Sequence, residues 1–214
     1  MTRGLVVVGA GGAGREALDV VEAVIGTGTA LRLLGVVDSG PSDSNLARLH
    51  DRDVPYLGTE DRWLSEEDRA GLAYVIGVGL PSARERIARS FDEAGLDPVT
   101  LIHPAAVVGT RATLGPGTVV CAGVQLSTNV TTGRHAHVNA GAIVGHDAVI
   151  GDFVSLNPGA VVSGEVVIGR GVLIGAGAVV LQGLRVGPGA TVGAAACVVH
   201  DVAAGTVVKG VPAR

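Results

Sequence analysis

From Val108 to Ala204 an aliphatic side chain returns every six residues, a period that belongs to neither an α-helix nor a flat strand. Steps of six meet Val108, Leu114, Val120, Leu126, Thr132 and Val138, then continue to Val198 and Ala204, and fifteen of the seventeen positions are Val, Leu or Ile. Chance would give about five or six, since these residues make up roughly a third of the region. The residue two before each is small or aliphatic (Ala136, Ala142, Ala148, Val154), and glycine often follows, as at Gly145 and Gly151. A short strand followed by a glycine-tolerant turn satisfies this pattern. Three such units close a triangular coil of eighteen residues, and coils stack at about 4.8 Å, the spacing of neighbouring strands. The run then amounts to just under six coils without an inserted loop.

One inward side chain per unit leaves no room for large rings, and aromatic placement agrees. Tyr56, Trp63, Tyr74 and Phe91 precede the repeat or its first coil, and only Phe153 falls inside it. The chain therefore divides into an α/β segment over 1–103 and an all-β parallel helix over 104–214. The net charge of −4 and the absence of a basic run argue against nucleic acid. No apolar run reaches bilayer length and the N-terminus lacks a cleavable signal pattern, so the expectation is a cytoplasmic protein without a membrane segment. Cys121 and Cys197 suggest neither a disulfide framework nor a zinc cluster.

In the first hundred residues LVVVGAGGAGREALDVVEAVI reads as a buried strand, a glycine turn and a helix. A second strand ends at Asp38 and a third near Gly79. Ser82 and Glu85 then form a capping-box pattern for a helix that stops at Gly95. Alternating strands and helices imply a small Rossmann-like parallel sheet with ligands at the strand carboxyl ends. Gly9, Gly11 and Gly14 satisfy the G-x-G-x-x-G spacing, with Asp38 24 residues beyond, so nicotinamide binding is one reading. About a hundred residues are too few for two mononucleotide halves, which favours phosphate or hydroxyl groups of another nucleotide at the helix N-terminus.

The hexapeptide run resembles the hexapeptide-repeat acyltransferases, which implies a left-handed parallel β-helix. KGVPAR, Lys209–Arg214, is similar to their closing segment near coenzyme A. A short nucleotide-binding-like segment carrying GAGG, followed directly by hexapeptides, resembles sugar acyltransferases of the NeuD/PglD type over essentially the whole chain. That resemblance implies acetyl transfer from acetyl-CoA to an amino group of a nucleotide-linked sugar, or to a hydroxyl of a sialic acid. It also implies a homotrimer with acetyl-CoA between two prisms. Carried over residue by residue, it places the sugar nucleotide at Gly11, Gly12, Ala13, Asp38, Ser39 and Gly79, and coenzyme A at Ser155, Ala176 and Ala194. Two positions depart from well-known members: Ser155 and Ala13 stand where several have histidine.

The stretch GHDAVIGDF, residues 145–153, matches the family motif that holds the catalytic base. His146 is the second residue after the inward Val144, so it sits on a corner and points outward. By resemblance it deprotonates the attacking amine, and Asp147 orients its ring or strengthens its basicity. An imidazole that titrates near neutrality can both take and return a proton, and a neighbouring carboxylate favours its protonated form. Acyl transfer also needs a donor for the thioester oxyanion. Gly164 lies one coil from His146 on the same corner and offers its backbone N–H. His135 and His137 flank the inward Ala136 and are expected to project outward, lining a cleft, a subunit contact or ordinary surface. No metal is expected, because His103, His135, His137 and His146 lack the spacing of the zinc enzymes that share this helix. A non-catalytic β-helix scaffold stays open as a reading from another class.

Overall fold

The run RGLVVV ends in four fully buried residues, Leu5–Val8, with no polar side to turn to water. Such a strand has to be covered on both faces. The computed structural model, which describes residues 2–66, 69 and 71–214, shows this strand, β1 (Arg3–Val8), in the middle of a parallel sheet. Along the chain follow α1 (Gly12–Gly26), β2 (Leu31–Val37), α2 (Asp43–His50), α3 (Glu60–Ser65), β3 (Ala73–Ile76), α4 (Pro81–Glu93) and β4 (Asp97–Pro98). The sheet order is β2-β1-β3-β4. Leu5 and Val7 face the core that includes α1, while Val6, Val8 and Tyr74 face Trp63 and Phe91. The turn from β1 to α1 depends on its glycines. Gly9 has φ +110°, and a Cβ on Gly14 would lie 1.8 Å from the Gly9 carbonyl oxygen. α4 differs from the capping-box reading: Pro81 occupies its first turn, Leu80 caps it without a side-chain bond, and Glu85 pairs instead with Arg170 at 2.6 Å.

The hexapeptides form a triangular parallel β-helix. Each rung is a two-residue strand, and rungs eighteen residues apart pair in register: His137–Val138 with Ser155–Leu156, and these with Leu173–Ile174. The three faces hold seven, six and five rungs. Inward residues such as Val144, Ile150, Leu156 and Val162 are buried, and each small residue two positions earlier is buried as well. The first rung is Leu101–Ile102, which pairs with Val119–Val120, so the prism takes in residues on the N-terminal side of 103. Its last coil is two residues shorter than the repeat implies. Val186 pairs with Val202 and Val192 with Val208, a step of sixteen, and Ala204 is exposed. In this coil the Asp201 carboxylate accepts the Arg185 N–H at 2.8 Å, a bond that a carbonyl supplies in the earlier coils.

The α/β domain covers the seven-rung face, and a buried polar cluster joins the two parts. Arg84 of α4 is fully buried. Its guanidinium donates to Val78 O and Gly79 O on its own side, and to His135 O, Phe153 O, Val154 O and Ser155 Oγ of the prism, at 2.7–3.1 Å. Burial draws Arg84 below its ordinary range, to about 9, and it remains charged at pH 7. Phe153 sits outside the prism, stacked on His135 with centroids 5.4 Å apart and packed with Trp63 and Phe91, so the interior still holds no ring. Among the described residues no helix is long and apolar enough to cross a membrane.

His135 and His137 point away from the prism axis yet are buried, which corrects the reading of them as cleft, subunit or surface residues. The α/β domain lies on top of them. His135 Nε2 is 3.3 Å from the Tyr74 hydroxyl, which donates to Asp92, while His135 Nδ1 and His137 Nε2 have no partner among the described residues. Burial first, then neighbouring Arg134, pushes His135 down to about 4; burial first, then Arg84, holds His137 well below its usual value. Both are therefore neutral in the folded chain at pH values where the unfolded chain binds protons. These two histidines should leave stability unchanged above about pH 6.5 and lower it as pH drops further, by roughly 1 kcal/mol per pH unit for each. The His135 contribution is complete near pH 4, and that of His137 continues lower. Urea midpoints measured from pH 7 to pH 4.5 should fall steeply, and less steeply in a His135→Gln/His137→Gln double variant. Identical slopes would exclude this assignment.

Candidate active site

His146 occupies the edge between the six-rung face, which carries Ile143–Val144, and the five-rung face, which carries Val149–Ile150. The turn there needs a residue at positive φ, and Asp147 takes it with φ 59°. This geometry folds the carboxylate back onto the ring: Asp147 Oδ2 is 2.8 Å from His146 Nδ1. The hydrogen bond from His146, followed by one from Asn129, holds the Asp147 carboxyl below the usual carboxylate range. An ionised carboxylate can only accept, so Nδ1 carries the hydrogen and the lone pair of the neutral ring lies on Nε2. The two side chains are 58% and 47% exposed, so the pair stands at the surface of this chain.

Gly164 lies directly against this nitrogen. A Cβ there would sit 2.5 Å from His146 Nε2, so any larger residue would push the ring aside. Its N–H has no hydrogen-bond partner among the described residues. The edge opens onto a groove of about 550 Å³ along the six-rung face, lined by Val107, Gln125, Ser127, Thr128, Ile143 and His146. A proton acceptor and a partly apolar groove meet there, with the Gly164 backbone beside the ring. That set suits nucleophilic attack on a carbonyl.

Ala176 and Ala194 are exposed and stack on another edge of the same six-rung face, with Ala195 N–H donating to Ala176 O at 2.8 Å. Ser155 lies elsewhere. It is fully buried on the seven-rung face, where its hydroxyl donates to Gly79 O at 2.8 Å and accepts from Arg84. Within this chain its side chain reaches no groove that could admit coenzyme A, because the α/β domain seals it. The expected coenzyme A contact thus serves the junction, and it meets Gly79, an expected sugar contact.

The nucleotide-side residues gather around the β1–α1 turn. Gly11 and Gly12 are open, with nothing within 4 Å of an added Cβ, and Ala13 follows them in the first turn of α1. Asp38 stands just past β2; its carboxylate accepts from Ala10 N at 2.7 Å and Gly40 N at 2.9 Å, so it fixes two loops. Ser39 Oγ donates to Glu60, whose carboxyl burial pushes upward. A cleft of about 430 Å³ runs here between Gly9, Asp38, Ser39, Glu60 and Arg86. Arg86 and Glu60 escaped the sequence reading because neither carries a spacing signal. Arg84 left a faint one: it shares a helix face with the buried Ala88 and Phe91, where a charge is out of place.

A family model described as the PglD N-terminal domain matches residues 4–91. Solved structures match over both halves. The acetyltransferase domain of PglB from Neisseria gonorrhoeae FA1090 is 32% identical, with 99% of this chain and 98% of that chain covered and a TM-score of 0.84. The chain belongs to the PglD-type hexapeptide-repeat acetyltransferases. A histidine variant of perosamine N-acetyltransferase from Caulobacter crescentus, in complex with CoA and GDP-perosamine, is 30% identical, covers 100% and 97% of the two chains and has a TM-score of 0.87. WeeI from Acinetobacter baumannii AYE is 29% identical, covers 100% and 99%, and has a TM-score of 0.85. No curated protein matches this acetyltransferase. With the family in hand, the glycine turn is a feature of the PglD-type α/β domain, whose sheet here has four strands.

Proposed function

We propose that this acetyltransferase moves an acetyl group from acetyl-CoA to the amine of a nucleotide-linked amino sugar, with His146 as general base. One observation carries the assignment: an imidazole oriented by a carboxylate lines an open groove, with the Gly164 backbone beside its Nε2. His146 Nε2 takes a proton from the amine as its nitrogen bonds to the thioester carbon. The Gly164 N–H donates to the oxygen that gains negative charge. The C–S bond then breaks, and His146 returns the proton to the departing sulfur. The choice of amine over hydroxyl rests on one relative, the perosamine N-acetyltransferase in complex with CoA and GDP-perosamine.

The proposed site spans two chains of a homotrimer. The α/β domain, with its nucleotide cleft, covers the seven-rung face, while His146 lies on the edge opposite that face. A sugar bound by one chain would meet the His146 of a neighbour. Val107 and Ile143 on the six-rung face are 54% and 44% exposed, an apolar surface that a second prism would cover. Gly11, Gly12, Ala13, Asp38, Ser39 and Gly79 would hold the nucleotide sugar, and Ala176 and Ala194 would flank coenzyme A. We place the reaction in the cytoplasm, where both substrates are made.

Free-thiol release from acetyl-CoA should appear with a 4-amino sugar linked to UDP, GDP or dTDP, and be absent with its hydroxyl counterpart. Release with the hydroxyl sugar alone would turn the assignment to O-acetylation. No release with any sugar, together with no thermal shift from CoA, would favour a scaffold.

A further inference from the structure

The corner that carries Asp147 belongs to a column. Arg111, Asn129, Asp147 and Glu165 occupy successive coils, eighteen residues apart, with φ between 58° and 61°. Beside it runs a second column, Thr110, Thr128, His146 and Gly164. Backbone bonds lock the two in phase: Asn129 N to Thr110 O, Asp147 N to Thr128 O and Glu165 N to His146 O, at 2.8–3.0 Å. In the first column one side chain reaches along the stack. Asn129 Nδ2 donates to Asp147 Oδ1 at 2.8 Å, while Oδ2 of the same carboxylate takes His146 Nδ1 at 2.8 Å. The carboxylate is thereby held at both oxygens.

We propose that Asn129 is a positioning residue, the third member of an Asn129–Asp147–His146 chain that fixes the ring tautomer by denying Asp147 any other orientation. A turn-forming role alone does not account for the residue. Positive-φ corners of this prism accept glycine at many positions, and arginine, histidine, phenylalanine, glutamate and alanine at others, so the backbone does not require an amide at 129. An asparagine can donate to a carboxylate one coil away where glycine cannot, and its short stem matches the rung spacing. Glu165, one coil further, ends in a carboxylate and so, when ionised, has no hydrogen to give Asp147. Arg111, two coils before Asp147, has no hydrogen bond or ion pair among the described residues. Thr128 spends its hydroxyl on Thr110, at 2.9 Å to its carbonyl, and so leaves Asp147 to Asn129.

The inference rests on His146 being the base, and its test separates the two. Asn129→Gly keeps the left-handed corner and deletes the amide; Asn129→Asp keeps shape and replaces a donor by an acceptor. Nitrogen NMR of the histidine side chains in the full chain reports the tautomer of His146 without any turnover. The Nδ1–H form should dominate in the parent and lose population in both variants, while thermal unfolding stays within a few degrees. In acetyl-transfer assays Asn129→Gly should lower kcat about fivefold, the rate equivalent of one ordinary hydrogen bond, with KM for acetyl-CoA unchanged. An unchanged tautomer population in both variants would overturn the proposal. Turnover of a His146→Ala variant tests the base assignment separately, and the tautomer comparison decides the role of Asn129 whatever that turnover is.

Discussion

Replacing His146 by alanine is expected to lower kcat by about 10²–10⁴-fold, the usual worth of a general base. The fold should be unaffected, because the side chain is 58% exposed and packs into no core. KM for acetyl-CoA should change little, since the groove along Val107, Gln125 and Ile143 is intact without the ring. Residual activity would come from the Gly164 N–H and from holding the two substrates together. His146→Gln separates proton transfer from shape: a similar loss identifies the missing step as deprotonation. Turnover near the parent's in a folded His146→Ala protein would remove this residue from the chemistry.

A second large effect is expected at Arg84. Two opposing contributions decide its size. Removing the guanidinium relieves the cost of burying a charge that no carboxylate neutralises among the described residues, which would stabilise the chain. Against this, its acceptors are left behind. Gly79 O keeps the Ser155 hydroxyl and Val154 O keeps the His137 N–H, but Val78, His135 and Phe153 carbonyls lose the bonds that Arg84 gives them. Each buried orphan costs about 1–3 kcal/mol, and a void replaces the deleted stem. The orphans win. Arg84→Ala should lose on the order of 3–5 kcal/mol in urea unfolding. The single transition should split as the α/β domain loosens from the prism. Arg84→Lys should recover little, because one ammonium cannot span both sides of the junction. An unchanged midpoint for the alanine variant would show that the cluster contributes nothing to docking.

Both residues bear on what the chain's letters disclose. The prism was readable because its inward positions recur at a fixed step, and the same step placed His146 on an outward corner beside Gly164. What lies outside each corner was not readable. Periodicity states that His135, His137 and Phe153 leave the axis, but a second domain then covers all three, and nothing in the repeat encodes that cover. Ser155 suffers the same fate: matched to a coenzyme A contact by motif position, it is closed in by Arg84 and Gly79. At the final coil the step itself misled, because Ala204 is small enough to pass for an inward residue while Val202 takes that place. On α4, Pro81 preset the first turn and left Ser82 and Glu85 without capping duty.

The eighteen-residue pitch makes insertions and deletions far more consequential here than replacements. One residue added between Asp147 and Ser163 would shift every later position along its rung, carry the Gly164 amide away from the imidazole, and swap inward for outward side chains down to Val198. Change of length in this half is therefore confined to whole turns or to the terminal coil, where a two-residue shortfall already stands. Loops elsewhere absorb such edits; here the thread of the screw forbids them.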